Sequence, residues 1–135
     1  MANITITDNR DEVLQKLRER IDAALEAVGN QCVSHAKQNI TAASRVDTGA
    51  MRNSISHIVS DDVCHVGTNI EYAIYNEMGT GIYIEGGRVT PWAYEDAHGV
   101  THWTRGMPGI HFLRNAAADH TDEYKAIIEN ELKKL

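Results

Sequence analysis

An apolar residue returns every three or four positions through Leu14, Leu17, Ile21, Ala24, Val28, Cys32 and Ala36. That spacing marks one stripe on a single helix, because residues three and four apart share a face. Asn9 precedes the stripe and Glu12 follows three residues on, the pattern of a capping box. Lys16, Arg18, Glu19, Arg20 and Glu26 fall mostly on the other faces. Gly29 interrupts at a cost of ~1 kcal/mol relative to Ala, yet the stripe continues beyond it. The spacing predicts a helix over 10–39, about 45 Å long at ~1.5 Å per residue. A compact chain of 135 residues has a radius of gyration of only ~14 Å. Such a helix is as long as the whole globule. It must lie along a long partner or project to meet another subunit.

A partner is visible at the other end of the chain. Leu113, Ala117, His120, Tyr124, Ile127, Ile128 and Leu135 repeat at helical spacing, with Lys133 and Lys134 in the last turn where cations suit the helix dipole. A second helix is expected over 111–134. Between the two lies β-like sequence. Residues 54–60 and 63–67 flank Asp61-Asp62 and predict a hairpin. Residues 70–78 hold no breaker and predict a short helix. Residues 92–96 and 100–104 predict a second hairpin, whose alternating rings suit a pleated ladder. The expected fold is α+β: a long N-terminal helix and a C-terminal helix packed on a small antiparallel sheet, in one domain over 1–135. Seven of the ten glycines, both prolines and both tryptophans lie between 79 and 109. That window reads as a loop or hairpin projecting from the domain.

Composition narrows the function. The chain is 42% hydrophobic and 24% charged, as a globular protein is. Its formal charge of −6 disfavours a protein that coats DNA. No apolar run approaches the ~20 residues of a membrane span. Residues 1–8 lack the basic start and apolar core of a signal segment. Two cysteines, Cys32 and Cys64, make a poor disulfide framework and suit a reduced cytoplasmic setting.

Several strings invite chemistry. Asp47-Thr48-Gly49-Ala50 matches the triplet of dimeric aspartic proteases, in which two carboxylates share a proton across a two-fold axis. That site needs an apolar strand before the Asp, and Thr41 to Val46 are not strand-like. A cap by Asp47 or Thr48 on a short helix over 49–54 is the better reading. His98, His102 and His111, with Glu95 and Asp96, match no standard zinc spacing. His35 and His120 read as satisfied histidines on the two helical stripes. Gly79-Thr80-Gly81 lacks the Gly-Lys-Ser/Thr of a phosphate grip and reads as a left-handed end to the short helix. No cofactor or metal is expected. Tyr83, Trp92, Tyr94 and Trp103, in the thin basic company of Arg88 and Arg105, suit anchors at a protein interface better than a ligand platform.

Three strings, in order, resemble one family. Val46-Asp47-Thr48-Gly49-Ala50-Met51-Arg52-Asn53-Ser54-Ile55 is similar to its Asp-Thr-Gly-x-Leu-Arg-x-Ser segment. Val66-Gly67-Thr68-Asn69-Ile70-Glu71-Tyr72-Ala73-Ile74-Tyr75-Asn76-Glu77-Met78-Gly79-Thr80-Gly81 is similar to its Val-Gly-(Thr/Ser)-x-x-x-Tyr-Ala-x-Tyr-x-Glu-Phe-Gly-Thr segment. Met107-Pro108-Gly109-Ile110-His111-Phe112-Leu113-Arg114-Asn115-Ala116 is similar to its Pro-x-x-Pro-Phe-Leu-Arg-x-Ala segment. These are the gene-product-ten-like neck or tail-completion proteins of lambda-type siphophages, minor structural proteins of tailed phages and prophages. The chain departs from the pattern at Gly109-Ile110-His111, where the family usually has Ala-Arg-Pro, and in a longer 82–106 stretch.

The resemblance implies a virion protein without catalysis, acting at the head–tail junction as a ring, most plausibly a hexamer. Its partners would be copies of itself and the head-completion and tail-terminator proteins. It would assemble in the host cytoplasm and take no sequence-specific nucleic acid, although DNA would pass through the ring. A tail-terminator or head-closure protein of another fold is the alternative; a strand over 68–81 would favour it. Asp47, Thr48, Gly49, Gly67, Tyr72, Tyr75, Glu77, Gly79, Phe112 and Leu113 carry the motifs. Tyr72 and Tyr75, three apart on one side of a short helix, are expected to anchor the core. Glu77 is expected to cap or pair with the Gly-rich loop.

Overall fold

The computed structural model describes residues 3–46 and 49–135. Asp47 and Thr48, on which both the protease and the cap reading rest, lie outside the described residues. The order is α1 (Arg10–Ala42), α2 (Ala50–Asn53), β1 (Ser56–Ser60), β2 (Val63–Gly67), α3 (Ala73–Met78), a 3-10 turn (Gly81–Tyr83), β3 (Trp92–Glu95), β4 (Thr101–Thr104), α4 (Phe112–Ala118) and α5 (Thr121–Leu132). The fold is α+β, as the periodicities predict. Among the described residues the strands form two separate two-stranded antiparallel sheets rather than one.

α1 runs for 33 residues, about 50 Å at ~1.5 Å per residue. Its C-terminal two-thirds carries the core. Ala24, Cys32, Ala36 and Ile40 are buried on the predicted stripe and its extension. Among the described residues, Phe112 of α4 and Ile40 are the largest side chains wholly excluded from water. Met51, Ile55, Ala73, Ala116 and Tyr124 close around them. Burying one such side chain favours folding by ~1.5–3 kcal/mol.

The β1–β2 hairpin lies on α1. Ile58 pairs with His65 and Val59 with Cys64. Asp61 and Asp62 turn the chain at φ 51° and 61°, the left-handed pair that a two-residue hairpin requires and that Asp tolerates. Gly29 explains itself here. A Cβ at this position would run into the His57 ring and stand 2.9 Å from Cys64 Sγ. The glycine weakens the helix so that the hairpin can close on it.

The expected C-terminal helix is broken. α4 stops at Ala118 and α5 starts at Thr121, with His120 non-helical at φ −128°. Asp122 and Glu123 then fall in the first turn of α5, where acidic groups meet the positive end of the dipole. The break frees the Ala116 carbonyl, which accepts a hydrogen bond from the buried Tyr124 hydroxyl. Burial raises the pKa of that phenol. α5 lies along α1 as far as Arg20, which pairs with Glu131 at 3.6 Å.

Candidate interaction surfaces

The Gly-rich window is pinched shut at its base by the backbone. Thr80 N–H donates to the Met107 carbonyl at 2.8 Å and Ile82 N–H to the Arg105 carbonyl at 3.0 Å. Ile110 N–H donates to the Asn76 carbonyl at 2.8 Å and His111 N–H to the Glu77 carbonyl at 3.1 Å. Gly81 and Gly106 sit where the two segments cross. A Cβ on Gly81 would collide with the Arg105 carbonyl, and one on Gly106 with the Thr80 carbonyl. Glycines that read as turn formers therefore serve a close backbone approach. Gly79 ends α3 at φ 92°, ψ 177°, a glycine conformation but not the left-handed helical one expected of it.

Glu77 takes the first of its two expected roles, a cap, but on α4 and not on the Gly-rich loop. Its carboxylate accepts from Leu113 N–H at 2.8 Å and from Arg114 N–H at 3.0 Å. Those are second and third helical positions of α4, the groups that a capping side chain normally satisfies. Glu77 thus caps α4 from a distant part of the chain rather than pairing with the loop. The residue at the local cap position, His111, makes no cap bond and takes φ 51°. Proline, locked near −65°, could not stand there, so the departure from the family pattern at 111 has a backbone reason. Arg45, which carried no sequence signal, ties the strand of chain after α1 to this base. Its guanidinium donates to Asn76 Oδ1 at 2.9 Å and to the Pro108 carbonyl at 3.0 Å.

Tyr72 and Tyr75 do not anchor the core. They are 49% and 55% exposed, and Ala73 between them is the buried residue. On so short a helix the inward position goes to the smallest side chain, because α3 lies close to α4. Ile74, Met78, Ile82 and Tyr83 are also about half exposed. Beside them an open groove of ≈ 790 Å³ runs between α3 and α4, lined by Gly67, Ile70, Ile74, Tyr75, Phe112 and Leu113 among others.

The β3–β4 hairpin places its rings on two faces. Trp92 is opposite Thr104, Ala93 opposite Trp103 and Tyr94 opposite His102. The two tryptophans therefore point to opposite sides. Trp92 is half-covered by Arg88, whose guanidinium carbon lies 5.4 Å from the ring centre. Tyr94 stacks on His102 at 5.4 Å. Trp103 is 74% exposed. Asp96 holds the turn, accepting from His98 N–H and Val100 N–H at 2.9 Å each and bonding His102 Nε2 at 2.7 Å. The His102 bond is the main reason its carboxyl lies below the usual range. Arg105 is exposed and contributes its carbonyl to the base.

His35 and His120 meet, as their two stripes allow. Their rings stack at 3.5 Å with 4° between planes. Glu123 Oε2 lies 2.9 Å from His35 Nε2 and 3.7 Å from His120 Nδ1. The His35 bond chiefly lowers the Glu123 pKa. Among the described residues this is the one grouping with three potential metal-ligand atoms close together. Imidazole lone pairs lie in the ring plane, so two parallel stacked rings do not converge on one ion. The arrangement acts as a clasp between α1 and α5.

No curated protein and no solved structure matches the chain. A family described as "Bacteriophage HK97-gp10, putative tail-component" matches residues 5–87. The match covers more than half of the chain. It takes in α1, the β1–β2 hairpin, α3 and the string ending in Gly79-Thr80-Gly81, and stops before the Trp hairpin. The chain belongs to the HK97-gp10-like family of bacteriophage tail components.

Proposed function

We propose that this tail component is a structural protein of the head–tail junction, a tail-completion or neck subunit that closes into an oligomeric ring, a hexamer by the symmetry of such tails. The observation that carries this reading is the run of apolar side chains left about half exposed on α3 and the following turn: Tyr72, Ile74, Tyr75, Met78, Ile82 and Tyr83. Contiguous apolar surface of this kind marks an interaction site. A head-to-tail contact between unlike faces closes into a ring when its rotation permits. Head-completion and tail-terminator proteins would be the axial neighbours, with assembly in the host cytoplasm and residence in the virion. The role is structural rather than catalytic. Tyr83, Arg88, Trp92, Tyr94, Trp103 and Arg105 would face a neighbour. The net −6 would line a lumen through which DNA slides without sticking.

A helix over Ala73–Met78 speaks against the alternative of a tail-terminator fold with a strand in that place. The deciding experiment is mass measurement and electron microscopy of the isolated protein and of purified particles. Ring density in the neck is expected, with carboxylates facing the channel. Absence of the protein from particles would overturn the reading and favour a host-side binding module.

A further inference from the structure

Histidine–carboxylate contacts tie α1 to its neighbours on two sides. On one side His57 of β1 meets Glu26 alone, Nε2 to Oε2 at 2.7 Å. On the other, two histidines share one acid. His35 of α1 and His120 lie face to face, and both address the Glu123 carboxylate. The His35 side chain is only 13% exposed. The other groups around the stack are neutral or turned to water. Gln31 of α1 faces Glu123, and Cys32 faces the Tyr124 hydroxyl. Lys37, two residues beyond His35, falls on another face of α1. Asp119, Asp122 and Lys125 are exposed.

A proton does different things at the two contacts. One proton on the stack makes an imidazolium beside Glu123, a favourable pair. A second sets two positive rings 3.5 Å apart against a single carboxylate. It also puts a cation on His120, the residue that opens α5, where the helix dipole is already positive. We propose that the stack is a pH-sensitive latch: it holds the first turn of α5 on α1 while at most one ring is protonated, and releases it when both are. The break between α4 and α5 is the hinge, and Phe112 keeps α4 anchored. The contact at His57 has no second ring, so protonation strengthens its pairing with Glu26 and leaves the β1–β2 hairpin seated.

Released α5 takes up one proton more than closed α5 as the pH falls through the imidazole range, near ~6.5. Its opening constant should then rise by up to about tenfold per pH unit. Glu123 stays ionised through that range, because the His35 bond holds its carboxyl below the usual value. Hydrogen exchange of the full chain from about pH 8 to about pH 5, corrected for intrinsic exchange rates, reads the difference. Protection at Tyr124 to Ile128 should fall by about tenfold or more on the acid side, while protection on β1–β2 holds. His120→Phe keeps a ring against His35 but takes no proton, and should flatten the α5 profile. Glu123→Gln removes the shared acid, and should move the loss of protection to higher pH. Parallel loss on α5 and β1–β2 would be ordinary acid unfolding and would overturn the latch, as would no loss on α5; neither comparison needs a variant. An α5 profile that His120→Phe leaves unchanged would overturn it as well.

Discussion

The two hairpins are built alike and used differently. Both are antiparallel pairs with short turns. In β1–β2 burial alternates along each strand, so that His57, Val59, Cys64 and Val66 turn toward α1. In β3–β4 only Trp92 and Thr104, at the base, are partly covered. A free two-stranded hairpin is marginal in water. The first takes its stability from a helix. The second takes it from the crossing at Gly81 and Gly106, from Asp96 in its turn and from Arg88 over Trp92. A hairpin held only at its ends leaves its ladder free to meet something else.

This contrast can be tested by breaking the packed side first. Phe112→Ala should have the largest effect, a loss of ~3–5 kcal/mol by urea or thermal unfolding, because a wholly buried ring leaves a cavity. Gly29→Val comes next. It would improve local helix propensity, yet it should cost about 1–3 kcal/mol, because the new side chain drives the His57 ring off α1. A crystal structure or cross-strand NMR contacts should show β1–β2 displaced and β3–β4 untouched. An unchanged melting temperature would mean that the hairpin does not depend on its seat. Glu77→Ala should cost about 0.5–2 kcal/mol, the usual worth of a cap. Hydrogen exchange should quicken at Leu113 and Arg114 before it does on α1.

How far these features can be read from sequence follows the same division. The α1 stripe, the β1–β2 turn at Asp61-Asp62 and the approximate strands of the second hairpin are local, since periodicity and turn chemistry act within a few residues. The Glu77 cap joins positions 77 and 113 and has no local signature. Arg45 likewise reaches Asn76 and Pro108 through space. The break at Asp119–His120 interrupts a stripe whose spacing runs on without a Gly or Pro. Helical spacing puts Tyr72 and Tyr75 on a shared side without saying which side faces in. The glycine cluster is visible in the sequence, but its reason, two backbones crossing, belongs to the tertiary fold.

Trp103→Ala should then have the smallest effect on stability of all, within about ±0.5 kcal/mol, as for surface positions generally. Trp103 is a larger ring than Phe112, but three-quarters of it already meets water, so its removal opens no cavity and strands no hydrogen bond. Trp92→Ala should cost more, since it also removes the surface on which Arg88 rests. The comparison is sharpest when stability and incorporation into phage particles are measured on the same variants. Phe112→Ala should lose both together, because an unfolded subunit cannot assemble. Trp103→Ala should keep its melting temperature and lose incorporation. If it keeps both, the projecting hairpin is not the surface that meets a neighbour.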